Sequence, residues 1–265
     1  MRFAEATAVK RVDEGTWTAE VQKDWDIFGV ANGGYLMAIA ARAMSEAADG
    51  RLPVTVTAHF TRPVSAGPIE VTVEPIKVGR TFSTIRATMT VGGNSHLSLI
   101  GTLGDPGRPD PGTQYMGAGP PDIPPPEDCV RALPAVDAPL PPPLMAQFEE
   151  RLHPEDAGPL DGKPSGVARI RGWLRLLDEE PFDSFVPFLV ADAFPPAVFN
   201  ASLPLAWTPT MEMTTQVRSV PSTGWLRCQF TTRFVTGGFL EEDGEVWDES
   251  GRLVALSRQL ALVPR

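Results

Sequence analysis

Apolar and polar residues alternate along this chain in two separate sets. Residues 54–61, Val-Thr-Val-Thr-Ala-His-Phe-Thr, show the two-residue period of a half-buried strand. Further strands are predicted near 15–22, 69–76, 80–91 and 95–103, with Gly92-Gly93-Asn94 as a turn. After the first of these, Leu36, Ile39, Ala40, Ala43 and Met44 recur at helical spacing, behind an Asn32-Gly33-Gly34 opening. The second set repeats the order: a strand near 167–175, then a helix at about 183–193 stopped by Pro195-Pro196. Strands near 210–218, 224–235, 239–248 and 252–263 complete it, with Glu249-Ser250-Gly251 as the last turn. Strand, helix and four strands therefore occur twice, a duplication of order rather than of letters.

One small, alanine-rich helix against a long antiparallel sheet is α+β architecture, and two such halves can join edge to edge and cover each other's free strands. Proline separates them. Sixteen of the 28 prolines fall between residues 104 and 164, where they exclude a central strand and predict an extended connector. A short helix at about 144–152 is expected to interrupt it. The expected division is residues 1–104, a connector over 105–164, and residues 165–265.

The net charge of -10 argues against a nucleic-acid partner, which needs clustered Lys and Arg, but leaves a small anionic ligand open. The start of the chain lacks a continuous apolar stretch, and Arg42 interrupts the most hydrophobic helix, so no membrane span is expected. Cys129 and Cys228 have no metal spacing and read as buried thiols, consistent with a reducing compartment. A cytoplasmic protein is the expectation, and free sheet edges favour a homo-oligomer. His59, His96 and His153 lack metal-ligand spacing, and neither a Gly-x-Ser-x-Gly elbow nor a phosphate-binding loop is present.

Asp192 follows Phe188 by four residues and Leu189 by three, which places a carboxylate on the apolar stripe of the second helix. Such a group needs hydrogen-bond partners; it reads as a general base or water anchor, or as a structural carboxylate leading into Pro195-Pro196. Gln259 shares a strand face with Ala255, Ser257 and Ala261. Its amide can donate to a carbonyl and accept from water, or simply face solvent. Thr210 opens a strand after Pro209, where its hydroxyl holds a water or caps a turn. Asn32, Gly33 and Gly34 offer a polarised oxygen the free N–H groups of a helix start, or serve only as its cap. Arg62 and Arg80, with Lys77 and Arg86, are candidate phosphate contacts or solvated surface charges.

Several motifs carry a resemblance. Asn-Gly-Gly-Tyr-Leu at 32–36, Phe-Thr-Arg-Pro at 60–63 and Gly-Arg-Thr-Phe-Ser at 79–83 resemble the first half of double-hotdog acyl-CoA thioesterases. Ala-Asp-Ala-Phe-Pro-Pro at 191–196, Trp-Thr-Pro-Thr at 207–210, Gly-Trp-Leu at 224–226 and Ser-Arg-Gln at 257–259 resemble the second half. The likeness is to the thioesterase-like, TesB-type branch and spans nearly everything outside the connector. It implies two tandem hotdog folds, each a long antiparallel sheet wrapped around a central helix. It also implies hydrolysis of an acyl-CoA to free acid and coenzyme A, in lipid metabolism, with no metal or other cofactor. The aspartate, threonine and glutamine that orient water in such enzymes fall on Asp192, Thr210 and Gln259. Asn32, Gly33 and Gly34 would line the acyl pocket or meet the thioester oxygen, and Arg62 and Arg80 the phosphates of coenzyme A. The first helix lacks an acid matching Asp192, so one site per chain is expected. A non-catalytic acyl-CoA-binding hotdog protein is the alternative. An enoyl-CoA hydratase or dehydratase is disfavoured, because the histidine its helix would carry falls on Ala197.

Overall fold

The first half begins with a one-turn helix α1 (Phe3–Ala6) and strands β1 (Lys10–Asp13) and β2 (Thr16–Val21). A small hairpin, β3 (Asp26–Ile27) and β4 (Val30–Ala31), then feeds the fifteen-residue helix α2 (Gly33–Ala47). Strands β5 (Leu52–Phe60), β6 (Gly67–Val78), β7 (Ser83–Val91) and β8 (Asn94–Gly104) follow. The second half comprises β9 (Val130–Arg131), β10 (Phe148–Leu152), β11 (Arg169–Leu176) and helix α3 (Val186–Val190). Strands β12 (Thr210–Val217), β13 (Leu226–Thr231), β14 (Val235–Thr236), β15 (Phe239–Asp248) and β16 (Leu253–Leu262) complete it. This computed structural model describes residues 1–108, 115–132, 142–177, 181–203, 206–221 and 224–263.

Pairing makes the duplication explicit. Within one 14-stranded sheet, β2-β6-β7-β8-β5 of the first half matches β11-β13-β15-β16-β12 of the second. The halves meet where β5 and β12 pair antiparallel, with Glu212 opposite His59 and Thr214 opposite Thr57. The hydroxyls of Thr57 and Thr214 lie 2.8 Å apart across that seam. Each half would otherwise expose a strand edge there, so the seam removes two edges. The architecture is the α+β tandem hotdog that the sequence implies.

Two expectations need correction. Residues 144–152 form a short 3-10 turn (Pro143–Ala146) and then strand β10, which pairs with β11 and β9. Phe148, Glu150 and Leu152 share the buried side of that strand, a two-residue period that the flanking Leu144 and Met145 disguised as helical. Strands β9 and β10 thus arise inside the proline-rich stretch; its residues 109–114 and 133–141 lie outside the described residues. The helix expected over 183–193 is also shorter. Asp183 caps its start by accepting from the N–H groups of Phe185 and Val186. Its end tightens early, where the Asp192 N–H donates to the carbonyl of Leu189. Asp192 therefore sits in the turn beyond α3 rather than within the helix.

Helix α2 is buried almost all round, which explains its small residues. Ala38, Ala40, Ala41 and Ala43 are fully enclosed, as are Met37, Ile39 and Met44. Each of the larger side chains contributes about 1.5–3 kcal/mol through burial. Tyr35 anchors the N-terminal turn: its ring stacks on Trp25 at 5.2 Å and its hydroxyl donates to the carbonyl of Ala6 at 2.7 Å. Among the described residues, no helix is long and apolar enough to cross a membrane. Both cysteines are buried and free.

Glu150 is an acid on the wrong side of its strand. It is buried, its Oε1 has no hydrogen-bond partner, and desolvation pushes its carboxyl up to about 8. The folded state therefore binds this proton more tightly than the unfolded chain, so stability declines as pH rises from the ordinary carboxylate range through about 8. Glu150→Gln is expected to raise the melting temperature strongly at pH 9 and little at pH 5. Equal shifts at both pH values would refute a buried neutral acid.

Candidate active site

The loop-to-helix junction at Asn32 builds a cradle for one carboxylate. Asn32 caps α2 by accepting from the Tyr35 N–H at 2.8 Å through its side-chain oxygen. The amide nitrogen is thereby turned outward, where it donates to Asp192 Oδ2 at 2.8 Å and to the Asp192 carbonyl at 2.7 Å. The Gly34 N–H donates to the same Oδ2 at 3.0 Å, and the Gly33 N–H adds to it. Three donors at a helix start suit an anion, and the anion here belongs to the protein. This corrects the expectation that these groups are free for a thioester oxygen. Asn32 and Gly34 both hold Oδ2, which leaves Oδ1 the freer of the two oxygens.

Burial outweighs these donors. Asp192 keeps some solvent access, yet desolvation pushes its carboxyl up to about 6, with the Gly34, Gly33 and Asn32 hydrogen bonds opposing that rise. The carboxyl therefore changes charge near neutrality, as a general base must. The two glycines are needed for the approach. A Cβ on Gly34 would lie 2.1 Å from the Phe188 carbonyl oxygen, and one on Gly33 would meet the Phe60 ring and Asp192 Oδ2 at 2.9–3.0 Å.

Thr210 and Gln259 are brought together directly. The Thr210 hydroxyl donates to Gln259 Oε1 at 2.7 Å. Gln259 Nε2 donates in turn to Glu242 Oε1 at 2.8 Å, and Glu242 Oε2 accepts the Ala197 N–H at 2.6 Å. Ala197 follows Pro195-Pro196, so this line of hydrogen bonds returns to the segment that carries Asp192. Phe60, which would touch any Gly33 side chain, ends β5 beside the start of β12, and this places the Thr210 end of the seam next to the cradle.

Sequence reasoning missed Glu242. It lies in Leu240-Glu241-Glu242-Asp243-Gly244, where the acidic run suggests solvent. The alternation carries the signal instead: Glu242 shares the buried face of β15 with Leu240, Gly244 and Val246. Desolvation pushes its carboxyl up to about 7, and the charge of Asp192 adds to that rise.

The reciprocal position in the pseudo-symmetric pair is closed. Where Asn32 of α2 reaches Asp192 after α3, Asp183 before α3 instead meets Arg42 of α2 in an ion pair. The Arg42 guanidinium also lies 4.3 Å from the centre of the Phe185 ring. A cation stands where the first half would need its acid.

The two arginines proposed for phosphates lie apart. Arg62 is exposed just beyond Phe60, at the Asp192 end of β5, and donates to the Ser95 carbonyl at 2.7 Å. Arg80 is exposed on the β6–β7 turn, which Arg51 binds through the Gly79 carbonyl at the opposite end of β5. Nine strand residues, about 26 Å of rise, separate those ends. Arg80 is not brought to the Asp192 site. Among the described residues, His153, Glu155 and Asp156 form one cluster of possible metal ligands. The Arg171 guanidinium already occupies it, with Nε 2.7 Å from Asp156 Oδ2 and Nη2 2.8 Å from Glu155.

Known proteins match both halves of the chain. Residues 21–104 match the acyl-CoA thioesterase N-terminal domain, and residues 126–263 match the acyl-CoA thioesterase C-terminal domain. An uncharacterized protein of Mycobacterium tuberculosis is 30% identical over 96% of this chain and 91% of its own length. A proposed thioesterase II from Thermobifida fusca superposes with a TM-score of 0.88 at 32% identity, covering 100% of this chain and 98% of that one. A hotdog-fold protein of unknown function from Alicyclobacillus acidocaldarius has the same fold, with a TM-score of 0.85 at 24% identity over 99% and 98% of the two chains. With both domains matched in order along a duplicated sheet, the chain belongs to the acyl-CoA thioesterase family.

Proposed function

We propose that this protein hydrolyses an acyl-CoA to the free acid and coenzyme A, using water held by Asp192, Thr210 and Gln259. The reading rests chiefly on Asp192, a desolvated carboxylate with Oδ2 fixed by Asn32 and Gly34 and Oδ1 the freer oxygen. Oδ1 accepts a proton from the attacking water, and Thr210, whose own proton points at Gln259, offers that water a lone pair. The second Nε2 proton of Gln259 is directed to the thioester oxygen. As the water oxygen bonds to the carbonyl carbon, the C–S bond breaks, and the proton held by Asp192 ends on the departing thiolate. No covalent acyl-enzyme forms, and no metal or redox partner is required for this balance. Arg62, exposed at the same end of the seam, would meet the phosphates of coenzyme A.

Thiol release from a panel of acyl-CoAs of differing chain length tests this directly. Wild-type release is expected, and Thr210→Val and Gln259→Leu should each lower kcat by about 10²-fold, the usual effect of losing one aimed polar group. Binding of acyl-CoA without thiol release would replace this reading with a carrier role. Loss of enoyl-CoA absorbance without release would replace it with hydration.

A further inference from the structure

We infer that Glu242 is a positioning residue for this site, fixing which way the Gln259 side-chain amide faces; the inference rests on the hydrolytic reading above. The two ends of a glutamine amide have nearly the same shape but opposite hydrogen-bonding character. Thr210 does not distinguish them, because a hydroxyl donates to the oxygen or accepts from the nitrogen equally well. Glu242 does distinguish them. It is buried beside Gln259 in the paired strand, directly opposite it in register, with Oε1 2.8 Å from Nε2. An ionised carboxylate only accepts, so the flipped amide would set oxygen against oxygen in a desolvated site.

The other carboxylate oxygen is also fixed. Oε2 takes the Ala197 N–H at 2.6 Å, which ties Glu242 to the chain just past Asp192. A proton added to Glu242 therefore belongs on Oε1, where it confronts the Gln259 N–H and turns the amide over. In that flipped state Nε2 points at Thr210, and the amide oxygen faces Glu242. The donor for the thioester oxygen and the hydroxyl lone pair for water are then both redirected. The charged groups bearing on Glu242 are Asp192, from the segment after α3, and Asp243, its neighbour in β15. Asp243 is itself paired with Arg258 and Arg233 on the other face of the strand. Burial and Asp192 both favour the protonated form, so the productive orientation is gained as pH rises through about 7.

Two measurements test this. In steady-state thiol release, Glu242→Gln should lower kcat by about 10- to 100-fold with KM within about threefold, the cost of a misdirected group. In a Gln259→Leu background the same substitution should cost nothing further, because Glu242 acts only through the amide. Multiplying effects, or wild-type kcat in Glu242→Gln, would overturn the inference. The second measurement needs no turnover: the Gln259 side-chain NH2 resonance is followed against pH in wild type and in Asp192→Asn. A shift near pH 7 in wild type, retained in Asp192→Asn but moved to lower pH because that charge is gone, is expected, and its absence from both would overturn the inference even if Glu242→Gln failed to fold. If wild type releases no thiol, the hydrolytic reading fails by itself, while the amide titration still decides whether Glu242 orients Gln259.

Discussion

Asp192→Asn is expected to reduce kcat for thiol release by about 10²- to 10⁴-fold, the range for removing a general base, without unfolding the protein. Asparagine matches the shape of the carboxylate. Its oxygen can take the place of Oδ2 against Asn32 and Gly34, which leaves its amide nitrogen at the Oδ1 position. That nitrogen cannot accept a proton from water. The substitution also removes a charge that burial disfavours. Asp192 has its proton affinity raised on folding, so its contribution to stability is complete below the ordinary carboxylate range and is lost as pH rises through about 6. The variant should therefore melt no lower than wild type at pH 8. Wild-type activity should rise between about pH 6 and 7 as Asp192 and then Glu242 ionise, and the residual activity of the variant should lack the Asp192 part of that rise. A variant with wild-type kcat would remove Asp192 from the mechanism.

These opposite signs belong together. Asp192, Glu242 and Glu150 are all desolvated acids whose carboxyls are pushed up, to about 6, 7 and 8. Each destabilises the fold as pH rises, yet ionisation of the first two is what the proposed chemistry needs. Strain of this kind persists where function requires it. Glu150 lies outside the hydrogen-bonded line from Thr210 to Ala197 and takes part in none of these steps.

Most of the sheet was legible because alternation reports directly which face of a strand is buried. The β5, β7, β8, β15 and β16 spans fall within a few residues of their patterns. Reading failed where two signals competed. In Leu144-Met145 followed by Phe148-Glu149-Glu150-Arg151-Leu152, helical spacing and strand alternation overlap, and only pairing with β11 decides. Asp192 was visible as a carboxylate among apolar residues, but its partners were not. Asn32 reaches it across 160 positions of chain, a contact no local pattern encodes. Glu242 was hidden by its acidic neighbours, although it alternates with the buried Leu240, Gly244 and Val246.

The largest effect on folding is expected at Gly34. Alanine there should improve local helix propensity by about 1 kcal/mol, so any net loss must come from tertiary contact. That contact is severe: the new Cβ would lie 2.1 Å from the Phe188 carbonyl oxygen and 2.9 Å from its carbon, both backbone atoms of α3. Neither can rotate away, and the two helices must part. We expect a loss of at least about 3 kcal/mol, at the upper end for overpacking. Thermal melts should register this as a fall of roughly 6–12 °C for a chain of this size. Gly33→Ala separates the fold from the site. Its Cβ would meet the Phe60 ring edge at 2.9 Å and Asp192 Oδ2 at 3.0 Å, and a ring at a strand end can turn aside where a backbone carbonyl cannot. That variant should fold with a much smaller thermal shift yet lose kcat, because what it displaces is the carboxylate. If Gly34→Ala melted like wild type, α2 and α3 would be free to separate, and the cradle would not be what holds Asp192.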